Sequence, residues 1–225
     1  MKKILLFITA FFIAHRTANA QTEKGDQAVG FYLNYSYSKD NHFVIIPTNN
    51  LTATVATTLK SFSIGPQYSY FIADKLEAGF YFGYSSYNNQ YISDNSNYQY
   101  NPNVESGKNH ITGVFIRKYM MLLDKVGLRA QPFLEYQWGS SQDSYPPSTV
   151  VDNNTVHSQQ YIAGANFDLV FYPTKKFGIT GRILNFDYYH YTATGTSQGR
   201  DSQDGINLGF ISDNLYLSVF YVFGQ

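Results

Sequence analysis

Leu128-Arg129-Ala130-Gln131-Pro132-Phe133-Leu134-Glu135-Tyr136-Gln137-Trp138 alternates without a break. Leu128, Ala130, Pro132, Leu134, Tyr136 and Trp138 fall on one parity, and Arg129, Gln131, Phe133, Glu135 and Gln137 on the other. Successive side chains of a strand point to opposite faces, so this stretch has one apolar face and one face that carries charge. Its length matches the roughly ten residues that a tilted strand needs to cross a bilayer. The apolar parity ends in Tyr136 and Trp138, whose amphipathic rings suit the level of lipid headgroups.

The pattern recurs along the chain. Val29, Phe31, Leu33, Tyr35 and Tyr37 oppose Gly30, Asn34 and Ser36; Phe62, Ile64, Pro66, Tyr68 and Tyr70 oppose Ser61, Ser63, Gly65, Gln67 and Ser69. Leu76, Ala78, Phe80, Phe82 and Tyr84 oppose Glu77, Gly79, Tyr81 and Gly83, and Tyr161, Ala163, Ala165, Phe167, Leu169 and Phe171 oppose Gly164, Asn166 and Asp168. Two strands are less regular: Thr112, Val114 and Ile116 against Gly113, Phe115 and Arg117, and Phe177, Ile179 and Ile183 against Thr180 and Arg182. Short connections at Ile72–Asp74, Met121–Lys125 and Pro173–Lys175 alternate with long ones at about Lys39–Thr58, Asn88–Lys108, Ser141–Ser158 and Tyr188–Gly205. Tight turns at one end and long loops at the other are the mark of an outer-membrane barrel. The expected fold is all-β: an antiparallel up-and-down transmembrane β-barrel of eight strands in meander order.

Charge placement tests this reading. Glu77, Arg117, Arg129, Glu135, Asp168 and Arg182 all fall on the parity opposite the apolar one. A basic side chain facing lipid at mid-depth costs about 2–4 kcal/mol, whereas opposite charges inside a narrow lumen can pair. These six are expected to form a lumenal ion-pair network. Lys60 and Lys118 lie on the apolar parity at strand ends, where they can snorkel. If the first strand runs outward, Tyr35, Tyr37, Tyr84, Tyr136 and Trp138 form an outer aromatic girdle. Tyr68, Tyr70, Phe171, Phe177, Tyr221 and Phe223 then form an inner one, as membrane barrels require. A soluble sandwich has no reason to gather rings into two belts.

The last strands carry an ambiguity. Leu215, Leu217, Val219, Tyr221 and Phe223 share one parity, and Ile206, Leu208 and Phe210 the other. A one-residue bulge near Asp213–Asn214 reconciles them and keeps eight strands. A turn there, suggested by the likeness of Phe210–Leu215 to Phe71–Leu76, makes nine and leaves the end on the wrong side; the bulge is expected.

Residues 1–20 read as a secretory signal peptide: Lys2 and Lys3, the apolar run Ile4–Ala14, then Ala18-Asn19-Ala20. Residues 21–225 form the barrel domain. Of 16 basic side chains, Lys2, Lys3 and Arg16 leave with the signal, so 13 remain against 16 acidic ones, a net of about −3. No basic stripe points to nucleic acid, and the chain has no Cys. Its 21 Tyr and 18 Phe are the outlying composition, and they favour β structure.

Ser61–Gly79 resembles the second hairpin of a small outer-membrane barrel family common in Bacteroidetes, within the wider outer-membrane-protein-A-like group. Pro132-Phe133-Leu134-Glu135-Tyr136 is similar to that family's Pro-Phe-x-x-Tyr strand, and Leu215–Phe223 to its terminal aromatic strand. The resemblance implies an architecture and no active site. Such proteins usually end on an aromatic residue read by the barrel-assembly machinery; here Gly224 and Gln225 follow Phe223.

No cofactor is expected, and chemistry is sparse. His42, His110, His157 and His190 are spread one to each long loop, with no second His or Cys at ligand spacing. His110 shares outward parity with Ser86 and Ser140, the pattern that a lipid-A-modifying hydrolase would use, but a nucleophile needs its base in reach and rim polar groups are ordinary. An enzyme is therefore not expected. A narrow porin-like channel is the other alternative, disfavoured because eight strands leave room only for side chains. The expected role is structural and interactive: a filled barrel in outer-membrane lipid and lipopolysaccharide, showing Asn-, Ser- and Tyr-rich loops to an extracellular ligand.

Overall fold

The computed structural model describes residues 23–46, 51–93, 104–144, 155–195, 200–210 and 215–224, with the backbone alone at 42–46, 51–55, 91–93, 143–144 and 200. The expected signal peptide lies outside the described residues. The regular elements are all strands: β1 (Gln27–Ile46), β2 (Leu51–Ala73), β3 (Leu76–Ser93), β4 (Val104–Met121), β5 (Val126–Ser144), β6 (Thr155–Phe171), β7 (Phe177–Gly195), β8 (Arg200–Phe210) and β9 (Leu215–Phe223). Consecutive strands pair antiparallel from β1 to β7, and β9 pairs with both β7 and β1, which closes an up-and-down ring of eight.

The rungs do not close level. From Gly30 they lead through Gln67, Tyr81, Gly113, Glu135 and Ile162 to Tyr189 on β7. In the other direction Gly30 joins Phe220 and then Gly178. The offset of eleven residues along β7, one of them a bulge, is the stagger that ties strand tilt to barrel diameter.

β8 and β9 together make the eighth wall. Both run antiparallel to β7, so the chain keeps its direction between them and the nine-strand turn is excluded. Asp213–Asn214 itself lies outside the described residues, but the flanking register measures what is inserted. Leu184 faces Phe210 and Gly181 faces Leu217. On β7 Ile183 is bulged, because Phe167 faces Leu184 while Asp168 faces Arg182. Two regular rungs thus face seven residues of the eighth wall, a surplus of five. The surplus is odd, as the change of parity demands, and larger than the single residue expected.

The Ile183 bulge is a departure from the simple alternation of the sequence. It turns Leu184, Phe186 and Tyr188 outward above it, after Phe177 and Ile179 below. A second difference is strand length. Pairing runs deep into the stretches read as long loops: β1 and β2 remain in register to Ile46 and Leu51. Where both faces of a strand are polar, the alternation that marks it in sequence fades while the backbone ladder continues.

Candidate functional site

The lumen is filled in three layers, starting from the short-turn end. The lowest is apolar. Ala28, Phe71, Tyr119, Val170, Tyr172, Phe220 and Val222 form a buried cluster, in which Tyr172 and Phe220 meet edge to face with centroids 5.6 Å apart. Gly178 gives the Phe220 ring its place, since a Cβ there would stand 2.1 Å from it. Phe71, Val170, Tyr172 and Val222 have no exposed surface, so this end is plugged.

The middle layer holds the charges. Glu77 and Arg117 are rung partners on β3 and β4, with Arg117 Nη1 3.1 Å from Glu77 Oε1. The remaining Arg117 donors reach Gln67 Oε1 at 2.7 Å and Gln131 Oε1 at 2.6 Å. Glu77 also accepts from Tyr119 Oη at 2.8 Å and Ser69 Oγ at 2.7 Å. This single cluster ties β2, β3, β4 and β5 together. Arg129 and Asp168 are likewise rung partners: Arg129 Nη2 donates to Asp168 Oδ2 at 2.5 Å and to Thr180 Oγ1 at 3.1 Å. Arg182 Nε stands 3.5 Å from Asp168 Oδ1, and its guanidinium lies over the Tyr216 ring at 3.7 Å.

Glu135 differs from the other five. Neutral donors reach it: Tyr81 Oη at 2.5 Å and Gln137 Nε2 at 2.6 Å. Sequence parity misses Asp187, which the Ile183 bulge turns inward, where it is buried and accepts from Asn185 Nδ2 at 2.8 Å. Gln67 and Gln131 lie on the inward parity but, being uncharged, carry no signal of their role; they complete the hydrogen bonding of Arg117.

Tyr32, Tyr81, Ile111 and Phe115 form the third layer. Beside the middle and third layers lies a cavity of about 560 Å³, with Arg117, Glu135, Arg182 and Asp187 in its walls. Four buried polar atoms in its lining lack a hydrogen-bond partner among the described residues: Tyr32 Oη, Asn34 Oδ1, Asn166 Oδ1 and Arg182 Nε.

The outer face is the reverse of the lumen. Val114 and Leu134 are 54% and 60% exposed, and Phe31, Ile64, Phe80 and Val219 are exposed beside them. Rings gather above and below. Toward the long-loop end Tyr35, Tyr37, Tyr84 and Trp138 are exposed, and Tyr136 packs on Trp138 and on Tyr161, with centroids 5.4 and 4.9 Å away. Toward the short-turn end Tyr70, Phe177 and Tyr221 are exposed, and Tyr68, Phe171 and Phe223 are half-buried on the same parity.

His110 joins the upper belt. It faces Tyr84 and Trp138 across its two rungs, and its ring lies 6.0 and 5.5 Å from theirs. Ser86 and Ser140 face Lys108 instead, two residues farther along β4. His190 Nδ1 lies 2.9 Å from Asp204 Oδ1. The His42 side chain lies outside the described residues. Among the described residues no three His, Asp or Glu side chains are grouped to hold a metal ion.

No family model and no curated protein sequence matches the chain. Among solved structures it is similar to the outer membrane protein OprG of Pseudomonas aeruginosa, at 9% identity over 93% of this chain and 100% of that one, with a TM-score of 0.47. A major outer membrane protein of Thermus thermophilus gives 12% identity over 87% and 99%, at 0.42. The N-terminal barrel domain of OprF from Pseudomonas aeruginosa gives 14% over 89% and 98%, at 0.34.

Proposed function

We propose that this chain is an integral outer-membrane barrel whose plugged lumen bars free diffusion and whose long-loop end is its working surface. One observation carries the reading: a closed ring of exposed apolar side chains, bounded by aromatic belts, surrounds a core of paired charges. Soluble monomers rarely expose contiguous apolar area beyond a few hundred Å², and this belt is continuous around the ring. Lipid is the solvent that such a surface fits. The export signal read in residues 1–20 and kinship with the small Bacteroidetes-type family belong to the same proposal. Its support is that the resembling stretches Ser61–Gly79 and Leu215–Phe223 both lie in the ring wall.

The role is non-enzymatic and interactive. His110 is occupied by aromatic neighbours, with Ser86 and Ser140 across from Lys108. The partners are outer-membrane lipid and lipopolysaccharide, the barrel-assembly machinery during biogenesis, and an extracellular ligand at the long-loop end. An outer-membrane fraction run on SDS gels should show a band that shifts on boiling, and the purified protein in planar bilayers should give no stable conductance. A soluble periplasmic protein without the shift overturns the membrane assignment; reproducible single-channel steps overturn the plugged lumen.

A further inference from the structure

Beyond the upper belt the two faces of the wall differ in the sign of their charge. On the outward parity of β1 to β6, from the belt to the strand ends, stand Lys39, Lys60 and Lys108 and no Asp or Glu. Asp40 and Glu105 fall on the inward parity instead, where Glu105 accepts from Tyr87 Oη at 2.9 Å. The three lysines are exposed, and none pairs with a carboxylate among the described residues. The outward acid Asp204 is on β8, across the ring, and is taken up by Tyr188 and His190.

The stagger of the ring brings the lysines level. Ten regular residues shared over eight walls make a rung climb toward the long-loop end by about 1.25 residues per wall from β1 to β7. Lys108 shares the rung of Ser86 and Phe62, and Lys60 stands two residues beyond Phe62 on β2. Two walls of climb cancel that difference. Lys39 faces Thr58, two residues beyond Lys60 but one wall earlier, and so comes to nearly the same height. With strands spaced about 4.8 Å apart, Lys60 and Lys108 are separated by roughly 10 Å around the wall. Ser86 and Asn88 fill the outward positions of β3 between them. Directly beneath lie the exposed rings of Tyr35, Tyr37, Phe62 and Tyr84, and beneath those Ile64 and Phe82.

We propose that Lys39, Lys60 and Lys108 form a docking site on the outer wall for the phosphate of a phosphorylated lipid. The inference deepens the membrane reading above and rests on it. A phosphate monoester brings close to two negative charges and three acceptor oxygens, and lysines meet it as point charges without a fixed fork. Three cations with no carboxylate among them suit such a group. The ligand is a lipid and not a free ion because the patch continues downward into aromatic and apolar surface, along which acyl chains lie.

The test reads Trp138, the single Trp. It faces His110, which is the next outward residue below Lys108 on β4. The full-length protein is refolded in phosphatidylcholine vesicles in which part of the lipid carries bromine on its acyl chains. Brominated phosphatidylcholine should quench Trp138 fluorescence; without quenching the membrane reading itself fails. Brominated phosphatidic acid, a phosphomonoester lipid, should quench equally at a several-fold lower fraction of the bilayer, since each lysine beside an anionic headgroup is worth roughly fivefold in affinity. Lys39→Gln, Lys60→Gln and Lys108→Gln combined should make the two lipids equal quenchers, while the gel shift and the quenching by phosphatidylcholine remain. Lys75→Gln, Lys175→Gln and Lys176→Gln combined, which remove the same charge from exposed positions at the short turns, should leave the preference intact. Sodium phosphate, compared with sodium chloride at equal ionic strength, should leave it intact as well. Three results would each overturn the proposal: equal quenching by the two lipids in the unmodified protein, a preference that survives the first triple substitution or is lost in the second, or a preference that free phosphate abolishes.

Discussion

Glu77 shows what a buried charge in this lumen depends on. It has no exposed surface and accepts from Arg117, Tyr119 and Ser69. Removing one partner of a buried pair strands the other and costs about 3–5 kcal/mol, whereas replacing both by apolar groups of similar size is often neutral. Glu77→Ala should therefore lower stability by about that amount, read by urea unfolding in vesicles through the fluorescence of Trp138, the single Trp. Glu77→Leu combined with Arg117→Met should recover most of the loss; a double variant as weak as the single one sinks the argument. Parity placed six charges in the lumen, but their partners depend on register. Glu77 faces Arg117 and Arg129 faces Asp168 because of rung alignments that alternation leaves open. Glu135 faces Gly113 and Ile162, and so takes Tyr81 and Gln137 instead. A different electrostatic prediction concerns Asp204, near the long-loop end of β8, whose side chain is exposed. Hydrogen bonds from Tyr188 Oη at 2.6 Å and from His190 Nδ1 hold its carboxyl below the usual aspartate value. A depressed folded-state pKa contributes stability above the unfolded value and loses it as pH falls through the folded one. The contact should thus persist at neutral pH and disappear only below the ordinary aspartate range. In an NMR titration, Tyr188→Phe should move the Asp204 midpoint upward; no movement refutes the assigned cause.

Among the elements, β7 departs furthest from what its sequence announces. Its parity reads cleanly at Phe177, Ile179 and Ile183, yet the bulge at Ile183 hands the outward face to Leu184, Phe186 and Tyr188. Period-2 reading follows a register until one residue is inserted, and the insertion leaves only a faint signal in the local sequence. The later run Asn185-Phe186-Asp187-Tyr188 is such a signal, since polar and aromatic residues alternate there on the shifted parity. Ile183 has no rung partner of its own: Arg182 and Leu184 face the adjacent residues Asp168 and Phe167. Deleting it joins Arg182 to Leu184 in plain alternation, which leaves Asn185 and Asp187 inward and Phe186 and Tyr188 outward. The Ile183 deletion should therefore keep the gel shift of the folded barrel. Deleting Val114 from β4, which has no such insertion, turns one half of that strand inside out and should abolish the shift. An Ile183 deletion as damaging as the Val114 deletion would mean that Ile183 is not the inserted residue.

For the whole molecule, the sequence made the wall count and the two faces readable because the apolar outer face and the charged lumen put opposite polarity on alternate residues. It did not reveal the reach of the strands beyond the aromatic belts, because polar residues on both faces remove that contrast. The same contrast yields a depth-dependent test of the membrane assignment. Val114 lies between Phe80 and Leu134 on the outer face, midway between the belts. Ser106 shares its parity on β4 but lies far beyond His110, toward the long-loop end. Arg at the lipid-facing midplane costs about 2–4 kcal/mol, and close to nothing near or outside the interface. Val114→Arg should therefore destabilise the barrel in lipid vesicles by about that amount, and Ser106→Arg by less than about 1 kcal/mol. In a soluble barrel both positions would face water, and the two substitutions would cost about the same. Equal unfolding midpoints for the two variants would therefore remove lipid from the explanation of the apolar belt.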